Sequence, residues 1–184
     1  MLFRSEDLAR YNNRIASLQA RYMKAQMEMT LDPLYPDANL TLRCAYGQVS
    51  GYRPSETIQY SASTRLTGIM NKYIPGDPDF NIPEKLTSLI ETKDFGSYTE
   101  NGDVPCAFIT NCHTTSGNSG SPVLNARGEL IGTNFDRVWE GTDSDYRYQP
   151  ATSRNIALDI RYTLFVINKF AGAKNILEEL QIVK

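Results

Sequence analysis

Histidine is nearly absent from this chain: among 184 residues, His113 is the only one. Histidine is the commonest general base of hydrolases, so one side chain at most could fill that role here. Cysteine is scarce as well. Cys44, Cys106 and Cys112 are odd in number and lack CxxC spacing, which argues against a closed disulfide framework or a zinc site and leaves them as small buried hydrophobes. Neither sign of charge dominates. With 19 Lys and Arg against 21 Asp and Glu, the net charge is −2 and the pI near 5.5, so there is no basic footprint for nucleic acid or an anionic membrane surface. No apolar run approaches the roughly 18 residues that a membrane span needs, and the opening MLFRSEDLAR is too polar for a signal peptide.

What is present can bury a core: 41% of the residues are hydrophobic, enough for one large domain or parts of two. From Leu2 to about Thr30 there is no Gly or Pro, and Leu8, Tyr11, Ile15, Leu18, Tyr22 and Met29 recur at helical spacing. This predicts one long amphipathic helix, stopped by Asp32-Pro33-Leu34-Tyr35-Pro36. The period then falls to two in NLTLRCAYGQVSGY, where Leu40, Leu42, Cys44 and Tyr46 alternate with Thr41, Arg43 and Ala45. That is the pattern of a half-buried strand, with Gly47 and Gly51 as bends in a curved sheet. Residues 64–103 read as an irregular insertion punctuated by Pro75, Pro78 and Pro83, with a short helix over 83–92. Strand patterns return over 104–110, 121–124, 129–134 and 154–158, and Asn125-Ala126-Arg127-Gly128 supplies a hairpin turn. A helical stripe of Ile160, Leu164, Ile167 and Ala171 follows, interrupted by Gly172 and resumed by Ile176, Leu177 and Leu180. The fold class is therefore mainly β with flanking helices.

The stretch HTTSGNSGSPVLNARGELIG, residues 113–132, carries the chemistry. A nucleophilic serine needs an exposed hydroxyl and neighbouring backbone N–H groups aimed at the oxyanion. Glycines on both sides of Ser119 permit that geometry, with the amides of Gly117 and Ser119 as the oxyanion hole. The base is then His113, or a residue outside this sequence, or the motif is only a Gly-rich turn. GxSGxP followed by a hairpin resembles the serine loop of chymotrypsin-fold peptidases and is unlike the GxSxG elbow, which joins a strand to a helix. Six residues of chain would have to fold back sharply to bring His113 onto Ser119, so His113 is expected to line the loop. Phe135 and Trp139 are expected to pack beneath the hairpin, Asp159 and Arg161 to form a structural pair, and Asp143-Ser144-Asp145, which lacks calcium-loop spacing, to be a solvated loop.

Two longer stretches, TTSGNSGSPVLNARGELIGTNFDRVWEG and RNIALDIRYTLFVINKFAGAKNILEELQIV, together resemble the C-terminal part of the bacterial dipeptidyl-peptidase family that includes dipeptidyl-peptidases 7 and 11. TLRCAYGQVSGYRPSE and FNIPEKLTSLIE extend the likeness back to about Asn39. The resemblance implies the second barrel of a chymotrypsin-like double β-barrel, joined to the end of an inserted helical lid domain. Residues 1–32 would belong to that lid. Residues 33–184 would be the barrel part, with its insertion over 64–103 and a C-terminal helix over 159–182. Ser119 would be the nucleophile, with the triad's histidine and aspartate far upstream and outside this chain, and no cofactor or metal would be needed. Asp136 would hold the substrate's N-terminal ammonium. Arg137 matches the position where arginine accompanies Asp or Glu at P1, as in the dipeptidyl-peptidase 11 type. The implied substrates are peptides with a free N-terminus and an acidic P1 residue. The intact enzyme would be an exported homodimer of the bacterial periplasm or cell surface. His113 and Ser116 depart from the family's usual residues. The alternatives are a glutamyl endopeptidase of the same barrel class, which would carry a histidine after the serine that this chain lacks, and a non-catalytic peptide-binding or assembly module.

Overall fold

The computed structural model describes residues 5–31, 34 and 42–183; the proline-rich stop, Leu34 apart, and the first residues of the strand expected from Asn39 lie outside them. The chain divides into two units, Met1–Arg43 and Cys44–Lys184. In the first, α1 (Ser5–Met29) is a single helix of 25 residues. Glu6 and Asp7 complement the positive end of its dipole, and Lys24 and Glu28 pair one turn apart at 3.9 Å. Its apolar stripe of Leu8, Tyr11, Ile15, Leu18 and Tyr22 is solvent-exposed.

The second unit mixes helix and sheet. A two-stranded hairpin pairs β1 (Tyr52–Ser55) with β2 (Ile58–Tyr60), and an open five-stranded antiparallel sheet runs in the order β3-β4-β7-β6-β5. Its strands are β3 (Ser63–Arg65), β4 (Pro105–Thr110), β5 (Pro122–Leu124), β6 (Leu130–Arg137) and β7 (Asn155–Asp159). Four of the five follow the period-two expectations within a few residues. Asn125 closes the β5–β6 hairpin: its side-chain oxygen accepts from the amides of Arg127 and Glu129 at 2.9 and 3.1 Å, and Gly128 takes the left-handed φ of +79° that ends the turn.

One expected strand is absent. Residues 42–47 form no strand and residues 42–46 are exposed, because alternation needs a neighbouring strand to hydrogen-bond, and among the described residues no strand pairs with them. Pairing starts at Gln48, whose carbonyl accepts from the Asn111 amide at 3.1 Å, and continues where Val49 bridges Thr110 and Ser50 N–H donates to the Ile109 carbonyl at 3.2 Å. The two glycines serve close approach: a Cβ on Gly47 would lie 2.4 Å from Asn111 Oδ1, and one on Gly51 would lie 2.2 Å from the Tyr60 carbonyl oxygen.

The apolar core gathers Leu66, Ile90, Phe95, Tyr98, Val104, Leu164 and Phe165. It draws on the 3-10 turn Leu66–Lys72, on α2 (Glu84–Glu91) and on α3 (Ile160–Phe165), with Phe95 edge-on to Phe165 at 6.3 Å. Burying each such side chain contributes about 1.5–3 kcal/mol. Asp159 ends β7 and caps α3 by accepting from the Arg161 amide at 2.9 Å; the expected ion pair with the Arg161 guanidinium forms at 2.8 Å. Arg161 also reaches Glu100, whose carboxyl is held below its ordinary value by Arg65 first and Arg161 second. After α3 the chain makes a π turn (Val166–Phe170), breaks at Gly172 with φ +68°, and closes with α4 (Lys174–Glu178).

Candidate active site

Ser119 sits on the loop from β4 to β5, exposed. Gly117 and Gly120 on either side adopt φ of +94° and +85°, where a Cβ would be strained. The loop is tied at several points. Asn118 accepts with its side-chain oxygen from the Thr115 amide at 2.8 Å, the Ser121 amide donates to the Asn118 carbonyl at 3.0 Å, and the Gly120 amide donates to the Asn134 carbonyl at 2.7 Å. The amides of Gly117 and Ser119 have no hydrogen-bond acceptor among the described residues. They are two open donors beside the serine hydroxyl, which itself donates to the Phe135 carbonyl at 3.3 Å.

Beneath this loop lies a polar relay that the sequence pattern does not reveal. Thr110 of β4 donates to Asn155 of β7. The Asn155 amide nitrogen donates to the Asn134 side-chain oxygen at 2.8 Å, and the Asn134 amide nitrogen donates to the Asn118 carbonyl at 3.1 Å. All three side chains are buried, so each bond is made where water cannot replace it.

Strand β6 carries the remaining candidates. Its register against β7 slips between Asn134 and Asp136, which pair with the consecutive residues Ala157 and Ile156. Phe135 is thus the extra residue of a β-bulge. Adjacent residues on a regular strand face opposite ways, so Asp136 and Arg137 are expected to share a site only if the backbone is irregular there. The irregularity occurs one residue earlier than that expectation. A cavity of about 270 Å³ is lined by Gly117, Ser119, Asn134, Asp136 and Arg137, among others. A second, of about 440 Å³, shares Ser116, Asp136 and Arg137 with it and extends to Trp139, Thr142 and Asp145.

Asp136 accepts from the Arg137 amide at 2.8 Å. The Arg137 guanidinium reaches the 138–153 loop, where Nη1 donates to Ser144 Oγ at 2.9 Å and to Asp145 Oδ1 at 3.1 Å, and Nη2 donates to Asp145 Oδ2 at 3.4 Å. The expectation of a solvated loop at 143–145 is therefore corrected for two of its residues: Ser144 is buried and Asp145 pairs with Arg137. A tertiary ion pair between residues eight apart leaves no local spacing to read. His113, expected to line the serine loop, reaches the 138–153 loop instead, its Nε2 lying 3.1 Å from the Ser144 carbonyl and its ring 4.6 Å from that of Tyr148. A carbonyl only accepts, so this nitrogen carries the proton. Tyr148 donates to the Asn111 carbonyl at 2.5 Å, and Tyr52 donates to Glu140 at 2.6 Å; burial first and that carboxylate second push the Tyr52 phenol upward. Phe135 and Trp139 do not pack beneath the hairpin. Both are exposed, Trp139 at 87%: Phe135 follows the inward-facing Asn134, and Trp139 opens the 3-10 turn that leaves the strand. Among the described residues no group of three or more His, Cys, Asp or Glu side chains is placed to hold a metal, and no helix is long and apolar enough to cross a membrane.

Comparison with known proteins places this geometry in context. The family model described as Peptidase S46 matches residues 2–182. The Asp/Glu-specific dipeptidyl-peptidase of Capnocytophaga gingivalis is 52% identical over 178 residues, covering 95% of this chain and 25% of that protein. Dipeptidyl-peptidase 7 of Phocaeicola vulgatus is 45% identical over 169 residues, covering 91% of this chain and 23% of that protein. The crystal structure of Porphyromonas endodontalis DPP11 in complex with the dipeptide Arg-Asp superposes with a TM-score of 0.89 at 45% identity, covering 96% of this chain and 26% of that one. The chain spans about a quarter of the length of the curated relatives it matches.

Proposed function

The chain belongs to the peptidase S46 family, and on that premise we propose that it is the part of a serine-type dipeptidyl-peptidase that carries the nucleophile and reads an acidic P1 residue. The observation that carries the proposal is one cavity wall holding Ser119, Gly117, Asp136 and Arg137 together. Ser119 Oγ, turned from the Phe135 carbonyl, attacks the scissile carbonyl, and the open amides of Gly117 and Ser119 receive the oxyanion. The proton passes to a histidine oriented by an aspartate, both supplied by sequence outside this chain. Asp136 holds the substrate's α-ammonium through charge-assisted hydrogen bonds, which fixes the N-terminus two residues from the cut. Arg137 binds the P1 carboxylate, since a planar guanidinium matches a carboxylate in bidentate fashion.

The wider frame follows from the family resemblance. The five-stranded sheet would be part of the second barrel of a chymotrypsin-like double barrel, and α1 the end of an inserted helical lid, in a homodimer exported to the periplasm or cell surface. The relatives named for Asp and Glu specificity and the complex with Arg-Asp support the substrate assignment. The test is kinetic, on the full-length peptidase with dipeptidyl substrates differing only at P1. Ser119→Ala should abolish turnover. Arg137→Gly should lower kcat/KM for Asp and Glu at P1 by about tenfold to a hundredfold relative to Leu, the value of a hydrogen-bonded charge. An unchanged ratio would remove Arg137 from the specificity site.

A further inference from the structure

A guanidinium has five N–H donors arranged along two edges that a carboxylate can match. In Arg137 the Nη1–Nη2 edge is taken: Ser144 Oγ and Asp145 Oδ1 accept from Nη1 at 2.9 and 3.1 Å, and Asp145 Oδ2 accepts from Nη2 at 3.4 Å. Nε and the second Nη2 hydrogen form the other edge, and no acceptor among the described residues takes the Nε–H. The arginine lines both cavities. Its side chain is only 19% exposed, so its position is set by the protein.

We propose that Ser144 and Asp145 are the positioning residues of Arg137: they occupy one edge of its guanidinium and so present the other, Nε–Nη2, edge to the P1 carboxylate. The inference rests on the reading of Arg137 as the acid-binding residue. Ser144 suits the role because it is held from both sides. Its hydroxyl accepts from Arg137, while its carbonyl accepts from His113 Nε2 at 3.1 Å, and the residue is buried. His113 thereby acts on specificity through Ser144. Asp145 adds charge balance: with the cavity empty it compensates Arg137, so this partly covered cation is not left unpaired. When substrate arrives, the arginine is already locked in one rotamer. Less side-chain entropy is then lost on forming the new pair.

The opposite role is the natural competitor for this geometry. If the P1 carboxylate needed the edge that Asp145 holds, Asp145 would act as an internal competitor, and removing it would improve acidic substrates. The sign of one measurement separates the two. In the full-length peptidase, with substrates differing only in Asp, Glu or Leu at P1, Asp145→Ala should lower kcat/KM for Asp and Glu by roughly five- to tenfold, because the pair is partly solvated and weaker than a fully buried one. The loss should appear in KM, and the Leu substrate should change by less than about twofold. Asp145→Asn keeps an acceptor and should recover to within about threefold of the parent, and Ser144→Ala should cost about two- to fivefold on acidic substrates alone. Arg137→Gly is run alongside. If it leaves the acidic-to-Leu ratio unchanged, the reading of Arg137 itself fails. If it erases the preference while Asp145→Ala leaves the ratio intact, the positioning role is overturned. Equal losses on acidic and Leu substrates would mark Asp145 as structural only, and a gain on acidic substrates would make it a competitor; either result also overturns the proposal.

Discussion

Asn134→Ala cuts the relay beneath the Ser119 loop at its centre. The backbone bonds of residue 134 to Gly120 and Ser121, at 2.7 and 2.9 Å, survive the change because they need no side chain. Two side-chain bonds are lost. The Asn118 carbonyl loses the donor at 3.1 Å, worth about 1 kcal/mol for a neutral hydrogen bond. The Asn155 amide loses its acceptor at 2.8 Å, and since Asn155 is only 3% exposed, the orphaned donor costs about 1–3 kcal/mol. The expected destabilisation is the sum, about 2–4 kcal/mol, read as a shift of the denaturant midpoint at constant slope. The same cut frees the peptide immediately before Ser119. Small misplacements of a nucleophile cost up to about a hundredfold, so kcat should fall at least about tenfold in the full-length enzyme while KM moves less than about threefold. A midpoint shift below about 0.5 kcal/mol together with an unchanged kcat would refute the claim that this relay holds the serine in place.

Asp136→Asn should impair substrates with free N-termini by about tenfold to a hundredfold in kcat/KM and barely affect the already poor N-acetylated ones; equal loss on both would mean that Asp136 does not read the amine. Gly132→Ala should destabilise by about 1–3 kcal/mol, as overpacking does, because its Cβ would lie 2.5 Å from the Leu158 carbonyl oxygen and 2.9 Å from the Phe108 ring; chemical denaturation checks it, and a neutral result would mean that β6 and β7 separate easily. Glu129 is hydrogen-bonded first by Arg127 and then by Asn125, which lowers its carboxyl from 4.5 to about 2. A lowered folded pKa means that the hairpin is favoured above the unfolded value and loses that favour as pH falls from about 4.5 toward 2. An NMR titration should place the Glu129 midpoint near the lower end of that window and Arg127→Gln should raise it; a midpoint near 4.5 in the parent protein would refute the pairing.

The parts of the fold that are legible in the sequence are those whose signal is local. The N-A-R-G turn, the helix after Pro83 and the glycines beside Ser119 are fixed by φ preferences and short hydrogen bonds within a few residues. The segment from Leu42 to Tyr46 misleads because a period of two describes a strand only when a partner supplies the ladder. Trp139 reads as an interior residue on hydrophobicity alone, yet it begins a turn that leaves the sheet. Of the site, Ser119 stands out from the residue pattern, while Asp136 and Arg137 come only from the family resemblance. What holds them does not: Arg137 meets Asp145 across a loop, and Thr110 meets Asn155 across 45 positions of chain, distances over which spacing carries no information.

The single extra residue at Phe135 changes the parity of β6. Gly132 and Asn134 turn inward, where Gly132 faces Phe108 and Asn134 joins the relay; past Phe135 the count is offset by one, and two consecutive residues, Asp136 and Arg137, line the same cavity. The backbone carbonyl of the supernumerary residue accepts the serine hydroxyl. What the site requires at position 135 is therefore an amino acid of almost any kind, but one and only one. Such a strand tolerates replacement and not miscounting: on the proposed reading, exchanging Arg137 would retune which side chain is read, whereas losing or gaining one residue before it would disturb the relay and both proposed substrate contacts together. On that reading, specificity would change by substitution at Arg137 with the spacing from Gly132 to Arg137 kept.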